Sequence, residues 1–250
     1  MLVFNNSPFH QASYLNSANR FTGGIYTISN NINQYFHLRS VNDSLVAENA
    51  RLQSHFYILD SNKNDIDTFV LKDTAEHYVG RYTYTAADVL SNSTANRNNY
   101  LMLNVGAADG ITKQCGVVCN EGVVGIVYDV SEHFCTVLSL LNSNVHISVK
   151  MDSSNHAGTL AWNGKSALFA QIDDINKHVK LEAGQRISTS GLNTIFPRNI
   201  PVGEVQETRI EGNTNHITVK LSTSFETIYK VYVVKNLDFD EQQKLLNNIK

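Results

Sequence analysis

Three residues of the chain, His77, Asp109 and Ser190, could form a catalytic set, because they occur in the order of a chymotrypsin-type serine protease triad. In that mechanism histidine accepts the serine proton and aspartate holds the histidine tautomer. Ser190 lies in STSGL, without the glycine and acidic residue that precede a protease nucleophile. Asp109 lies in GAADGI, a turn-like composition. We predict no active protease and keep a degenerate or active serine hydrolase, with Ser190 as nucleophile, as an alternative.

The other residues that could support chemistry are not spaced for it. The three cysteines, Cys115, Cys119 and Cys135, are an odd number, so they are not a fully paired disulfide framework. No fourth sulfur and no H-x-x-x-H or H-x-H pair completes a metal site. No glycine-rich turn is followed by the Lys-Ser/Thr of a phosphate loop. The pattern predicts buried, unreactive thiols and no metal or cofactor.

The composition limits the classes of partner that the protein is expected to bind. Of 250 residues 42% are hydrophobic, which is enough for a real core, and only 17% are charged. The net charge is −3, and no Lys/Arg run exceeds two residues. Because duplex binding requires a clustered cationic footprint, we expect no nucleic-acid partner.

Residues 25–60 have the periodicity of a coiled coil. Leucines recur every seven residues, and Asn42 and Asn49 occupy the matching a positions. A buried asparagine at an a position favours two parallel helices in one register. We predict a dimer whose seam contains Leu38, Leu45, Asn49, Leu52 and Leu59.

The pattern changes over residues 65–236 to short or alternating apolar runs that end at Gly, Asn, Asp or Ser. At least nine short strands are predicted. Because this number would crowd a single barrel, two small barrels are favoured. The last residues, 237–250, have helical character and form a C-terminal tail.

Five motifs follow one another along the chain. They are the Leu-x-x-Glu-Asn-x-x-Leu core at 45–52, NYLMLNVGAADGI at 99–111, GVVGIV at 122–127, GTLAWNG at 158–164 and GQRISTSGLNTIFPRNIPVGEV at 184–205. In these motifs and their order the chain resembles the MreC family, the rod-shape-determining scaffolds of bacterial cell-wall elongation. Gln185 and Asn199 replace the usual Asp and Gly of the last motif, and the asparagine-rich composition is similar to that of the Bacteroidota branch.

The resemblance implies a mainly β protein with an N-terminal coiled coil and two small barrels in a chymotrypsin-like arrangement without a triad. It leaves open whether the second barrel is inserted in the first, with residues 111–184 as the expected insert. Motif residues would then serve as turns and barrel corners: Gly106, Gly110, Gly122, Gly125, Thr189, Ser190, Gly191, Pro197, Pro201 and Gly203.

The resemblance also implies a single-pass inner-membrane protein whose β region lies in the periplasm. Residues 1–24 would be a juxtamembrane segment, and the apolar Met1–Phe4 the end of a membrane helix upstream. The implied partners are a second copy, a class B penicillin-binding transpeptidase, MreD, RodZ and MreB, with filaments as a further form. A third reading, a peptidoglycan-binding module, would use exposed aromatics such as Tyr82, Tyr84 and Trp162.

Overall fold

The computed structural model describes residues 40–52, 82–153, 156–176, 182–211 and 214–248. Residues 40–52 are helical (α1), and a second helix, α2, spans Phe239–Asn247. Neither is long and apolar enough to cross a membrane. The predicted residues His77, Leu38 and Leu59 and the juxtamembrane residues 1–24 lie outside the described ranges.

The described residues contain twelve strands in two closed six-stranded barrels, so the prediction of a mainly β fold with two small barrels is confirmed. The first barrel contains β1 (Tyr82–Asn92), β2 (Asn98–Leu103), β3 (Gly116–Val118), β4 (Val123–Val130), β5 (Cys135–Asn142) and β12 (Lys230–Asn236), in the spatial order β1-β12-β3-β4-β5-β2. The second contains β6 (His146–Met151), β7 (Ala157–Ala161), β8 (Phe169–Asn176), β9 (Arg186–Thr189), β10 (Pro201–Glu211) and β11 (Thr214–Leu221), in the order β10-β11-β8-β7-β6-β9. Both barrels belong to one compact unit, Asn49–Lys250.

The second barrel is inserted between β5 and β12 of the first, so the inserted segment runs from His146 to Leu221. This corrects the expected insert near residues 111–184 at both ends. Strands β3 to β5 belong to the first barrel because β3 pairs with β12 and β5 pairs with β2. Beyond residue 184, β9 to β11 complete the second barrel.

Alternation of side chains builds the cores. Along β2, Asn99, Leu101 and Leu103 point inward and are at most 1% exposed, while the residues between them face solvent. Because successive side chains of a strand lie on opposite faces, this pattern fills the barrel interior with every second residue. Most of β12 is buried, since this strand lies in the wall of the first barrel and ends near the second.

Two of the three cysteines are part of the first core. Cys115 and Cys135 are 4% and 2% exposed, whereas Cys119 is half-buried with its Sγ 3.9 Å from the Thr223 hydroxyl. Burial, and next the neighbouring Cys115 thiol, raises the pKa of Cys135 to about 11.

We expect Cys135 to resist thiol reagents until the protein unfolds. Its ordinary pKa of 9.0 rises to about 11 in the fold, so at pH 8 the thiolate fraction falls about 100-fold on folding. The rate of labelling with Ellman's reagent is measured with and without denaturant. In the native protein Cys119 should react first. In a Cys119→Ser variant the native protein should label very slowly. Rapid native labelling of Cys135 in that variant would contradict the buried assignment.

Candidate functional site

The loop between β9 and β10 of the second barrel, residues 190–200, packs against the first barrel and is called the junction loop here. Thr189, at its start, is fully buried and bonds across the loop. Its hydroxyl donates to the Pro197 carbonyl at 2.6 Å and accepts the Ile200 N–H at 3.0 Å. One side chain at the start of the loop therefore satisfies two backbone groups near its end, as buried polar groups require.

The junction loop reaches into the first barrel through Phe196, which is fully buried. A Cβ added at Gly116, in β3, would lie 2.6 Å from the Phe196 ring, so a residue without a side chain is needed there. Asn236, at the end of β12, donates to the Thr194 carbonyl at 2.6 Å. Gln243 of α2 donates to the Thr194 hydroxyl at 3.1 Å. The loop is thereby attached to the first barrel by apolar packing and by hydrogen bonds.

Two residues of the junction loop have left-handed backbone conformations. Gly191 has φ of 71°, and any Cβ there would collide with the side chain of Arg198. Arg198 Nε donates to the Ser190 carbonyl at 3.1 Å. Asn199, which replaces the glycine of the motif, has φ of 67°. Asparagine adopts this conformation more readily than most residues, so the turn forms without glycine.

The remaining motif residues lie at turns or at close contacts between backbones. A Cβ at Gly122 would meet the Pro201 carbonyl, so this contact also joins the two barrels. Pro201 begins β10, a position where the missing N–H of proline is tolerated. Close carbonyl oxygens crowd the Cβ position at Gly106, Gly125 and Gly203, whereas Gly110 has φ of 78°.

Ser190 and Asp109 each make hydrogen bonds within a turn or corner of a barrel. Ser190 is 3% exposed, its Oγ lies 2.7 Å from Ser148 Oγ, and it accepts the Leu192 N–H at 3.2 Å. Asp109 accepts the Gly106 N–H at 2.9 Å in a turn of the first barrel. The two residues therefore belong to different barrels, and no observation supports the hydrolase alternative. No group of three potential metal ligands occurs in the described part of the chain.

The aromatics named for sugar binding are not well placed for it. Trp162 is 5% exposed, and its Nε1 donates to the Ser166 carbonyl at 2.7 Å, so its ring has no free face for stacking. Tyr82 and Tyr84 are only half-exposed on β1. The structure instead exposes a different set of aromatic side chains.

An exposed apolar surface lies on the outside of β2, β5 and β4. It consists of Tyr100, Met102, Tyr128 and Phe134, which are 39%, 44%, 58% and 47% exposed, and we call it the tyrosine face. The Tyr100 and Tyr128 rings meet edge to face with centroids 6.4 Å apart. Such a geometry is favourable for aromatic rings and leaves both partly open to a partner.

A β-bulge creates this face. Val127 pairs with Val137 and Asp129 with Thr136, so Tyr128 is an extra residue in β4. A bulge re-aims a side chain, and here Tyr128 points outward beside Tyr100. Sequence reasoning missed these residues because apolar side chains in strands are usually assigned to the core, and no sequence signal marked the bulge.

Charge is confined to the edge of the tyrosine face. Lys113 Nζ lies 2.8 Å from Asp129 Oδ1, and both side chains are exposed. The hydrogen bond between them is the main reason that the pKa of Lys113 is raised and the pKa of Asp129 is lowered. Because the pair is exposed, it contributes little to stability. The four residues of the tyrosine face are themselves uncharged.

The family model described as rod shape-determining protein MreC, barrel core, matches residues 89–235, more than half of the chain. The chain belongs to the MreC family. A relative named cell shape-determining protein MreC, from Streptococcus pneumoniae, is 30% identical over 158 residues, covering 60% of this chain. The chain spans 58% of that relative's length.

Solved MreC structures share the fold. The MreC structure from Listeria monocytogenes matches with a TM-score of 0.60 and 22% identity, over 78% of this chain and 93% of that one. The complex between penicillin-binding protein PBP2 and MreC from Helicobacter pylori matches with a TM-score of 0.52 and 20% identity, over 62% of this chain and 99% of that one.

We expect Phe196→Ala to destabilise the protein strongly, because it removes a fully buried ring between the barrels. Truncation of a buried phenylalanine costs about 3–5 kcal/mol. Leu192→Ala, in the same loop but 66% exposed, is the matched control and should change the free energy of unfolding by less than about 0.5 kcal/mol. Urea unfolding followed by circular dichroism measures both; equal effects would contradict the role given to Phe196.

Proposed function

We propose that this chain is a non-enzymatic scaffold of the cell-wall elongation machinery, which maintains cell shape by binding and regulating a class B penicillin-binding transpeptidase. Membership of the MreC family supports this role, and so does the PBP2 complex of the Helicobacter pylori relative. The observation that carries the proposal here is the tyrosine face, a surface with aromatic side chains and an uncharged centre. Exposed apolar patches of this kind mark protein interaction sites.

The tyrosine face has the composition of an interface centre. Tyrosine, phenylalanine and methionine are enriched in protein interfaces, and charged residues are depleted from their centres. The paired Tyr100 and Tyr128 rings rest on a closed barrel wall, so they lose little conformational freedom on binding. A transpeptidase contact centred on these rings is therefore the arrangement that the described surface favours.

Regulation would follow from differential binding. A scaffold shifts a partner between an inactive and an active state only if it binds the two with different affinities. The closed wall of the first barrel supports such discrimination, because a rigid surface fits one partner conformation better than another. The same proposal includes the chymotrypsin-like arrangement of the two barrels.

The rest of the proposal concerns location and assembly. The family resemblance supports a single-pass inner-membrane anchor, with the barrels in the periplasm and MreD, RodZ and MreB as further partners. Leu45 and Leu52 of α1 are 57% and 50% exposed in the single chain, as expected of seam residues that a second helix would cover. Asn49 differs from this expectation: it hydrogen-bonds to Tyr232 of β12 and so offsets part of the rise in the Tyr232 pKa that burial causes.

We expect Tyr128→Ala to weaken binding of the purified class B transpeptidase from the same organism by about 30-fold or more, the usual cost of losing an aromatic hot spot. Biolayer interferometry measures the dissociation constant. Leu168→Ala, which truncates a side chain 58% exposed beside the second barrel, is the control and should bind like wild type. Unchanged affinity of Tyr128→Ala, with normal thermal stability, would exclude the tyrosine face as the contact.

For the coiled coil, the double variant Leu45→Asp, Leu52→Asp should dissociate the dimer of the full-length protein. Burying one leucine contributes about 1.5–3 kcal/mol, so each substitution should raise the dissociation constant of the dimer at least about 10-fold. Ala47→Asp is the matched control, since Ala47 is exposed and lies at an outer heptad position. Sedimentation equilibrium in detergent distinguishes the species. A dimer that survives the double substitution would rule out this seam.

A further inference from the structure

A groove lies beside β1 at the place where its pairing with β12 ends. The last paired residues, Asp88 and Lys230, are also joined by an ion pair of 2.9 Å. Beyond them, the Val89 N–H donates to the Tyr229 carbonyl at 2.9 Å, and the Asn92 side-chain amide donates to the Phe225 carbonyl at 2.6 Å. Between these two bonds the chain separates from β1 and leaves a groove of about 350 Å³.

This β1 groove is lined mainly by Leu90, Ser91, Asn92, Glu226, Ile228 and Tyr229. Among the described residues, Ser91 and Asn92 have a strand partner on one side only, which is β2, and Leu90 is a bulge residue that pairs with neither neighbouring strand. Their other edge faces the groove, so β1 here resembles an edge strand in an otherwise closed barrel. Edge strands are the usual sites where an extended segment of another chain adds to a sheet.

An unsatisfied acceptor borders the same groove. Asn92 Oδ1 is buried and has no hydrogen-bond donor in the described structure, although its amide nitrogen is bonded. A buried carbonyl oxygen without a donor costs free energy, so a ligand N–H group that displaced the groove wall around this oxygen and bonded to it would be favoured. A peptide backbone in an extended conformation carries such groups at regular intervals.

The walls of the groove define the side chains that would fit. Leu90 and Tyr229 are 53% and 74% exposed and stand on opposite sides, which suits an apolar side chain between them. Glu226 is exposed and has no ion-pair partner within the described ranges, so the rim is anionic. An apolar residue beside a lysine or arginine is the sequence that matches both features.

We propose that the β1 groove binds an extended segment of the transpeptidase partner, with an apolar side chain between Leu90 and Tyr229 and a basic side chain beside Glu226. The inference rests on the proposed function, because it assigns a second contact to the same partner. Ser91 pairs with Met102, a residue of the tyrosine face. The groove and the face therefore form one continuous surface around the first barrel.

Site-specific photocrosslinking in the full-length, membrane-anchored protein tests the proposal in elongating cells. Benzoylphenylalanine replaces Tyr229 in the groove, Tyr128 on the tyrosine face, or Leu168 as a control on the second barrel. We expect the first two positions to capture the transpeptidase and Leu168 not to. Mass spectrometry should map the Tyr229 adduct to an extended segment that contains lysine or arginine.

The outcomes separate the two proposals. Capture from Tyr128 alone would overturn the groove proposal and leave the proposed function in place. Capture from neither position would overturn both. An adduct at Tyr229 with a second copy of this chain, with a segment that lacks basic residues, or no more abundant than at Leu168, would also overturn the groove proposal.

A charge reversal provides an independent readout. Glu226→Lys should lower the yield of the Tyr229 adduct about 5-fold, since it replaces an attraction with a repulsion at the rim. Glu241→Lys, on the exposed side of α2, makes the same change in net charge away from the groove. It should leave the yield within about 2-fold of wild type. Equal effects of the two variants would contradict recognition of a basic segment by Glu226.

Discussion

The architecture depends on the burial of Phe196 between the two barrels. Two small barrels joined only by exposed loops would move relative to each other, because interfaces between domains are usually modest and polar. Here the ring occupies space left by Gly116, and Thr189 and Asn236 hold the loop that carries it. Removing water from this contact provides the free energy that keeps the two walls in one orientation.

Much of the barrel fold could be predicted from the sequence, because alternating apolar runs and turn residues report strand positions directly. The limits of the insertion could not, since they depend on which strands pair. Val118 meets Tyr232 across a separation of more than a hundred residues, and no local pattern encodes that register. The tyrosine face was missed for a related reason: Tyr100 and Tyr128 become neighbours only through β5 and the bulge in β4. Asn49 fitted a coiled-coil position but also contacts Tyr232, which the heptad pattern could not show.

The polar residues that resembled a catalytic set illustrate how a barrel uses serine and aspartate. Ser190, which is buried, and Asp109, which is exposed, satisfy backbone and hydroxyl groups in tight turns. Such groups are costly to leave unpaired, so short polar side chains recur at these corners regardless of any chemistry. Because these polar side chains lie at the turns, the outer strand surface of the first barrel can carry apolar side chains.

The insertion of the second barrel also has a kinetic consequence. Strands β6 to β11 are close in sequence, so the second barrel can form from contacts that are mostly local. The first barrel must wait for β12, which joins β1 and β3 only after the whole insert has been synthesised. Contacts between distant segments form slowly because the loop entropy must be overcome first. During synthesis from the N-terminus, the sheet of β1 to β5 therefore stays unclosed while the second barrel is made and until β12 follows. This is the interval when the chain is most exposed to aggregation.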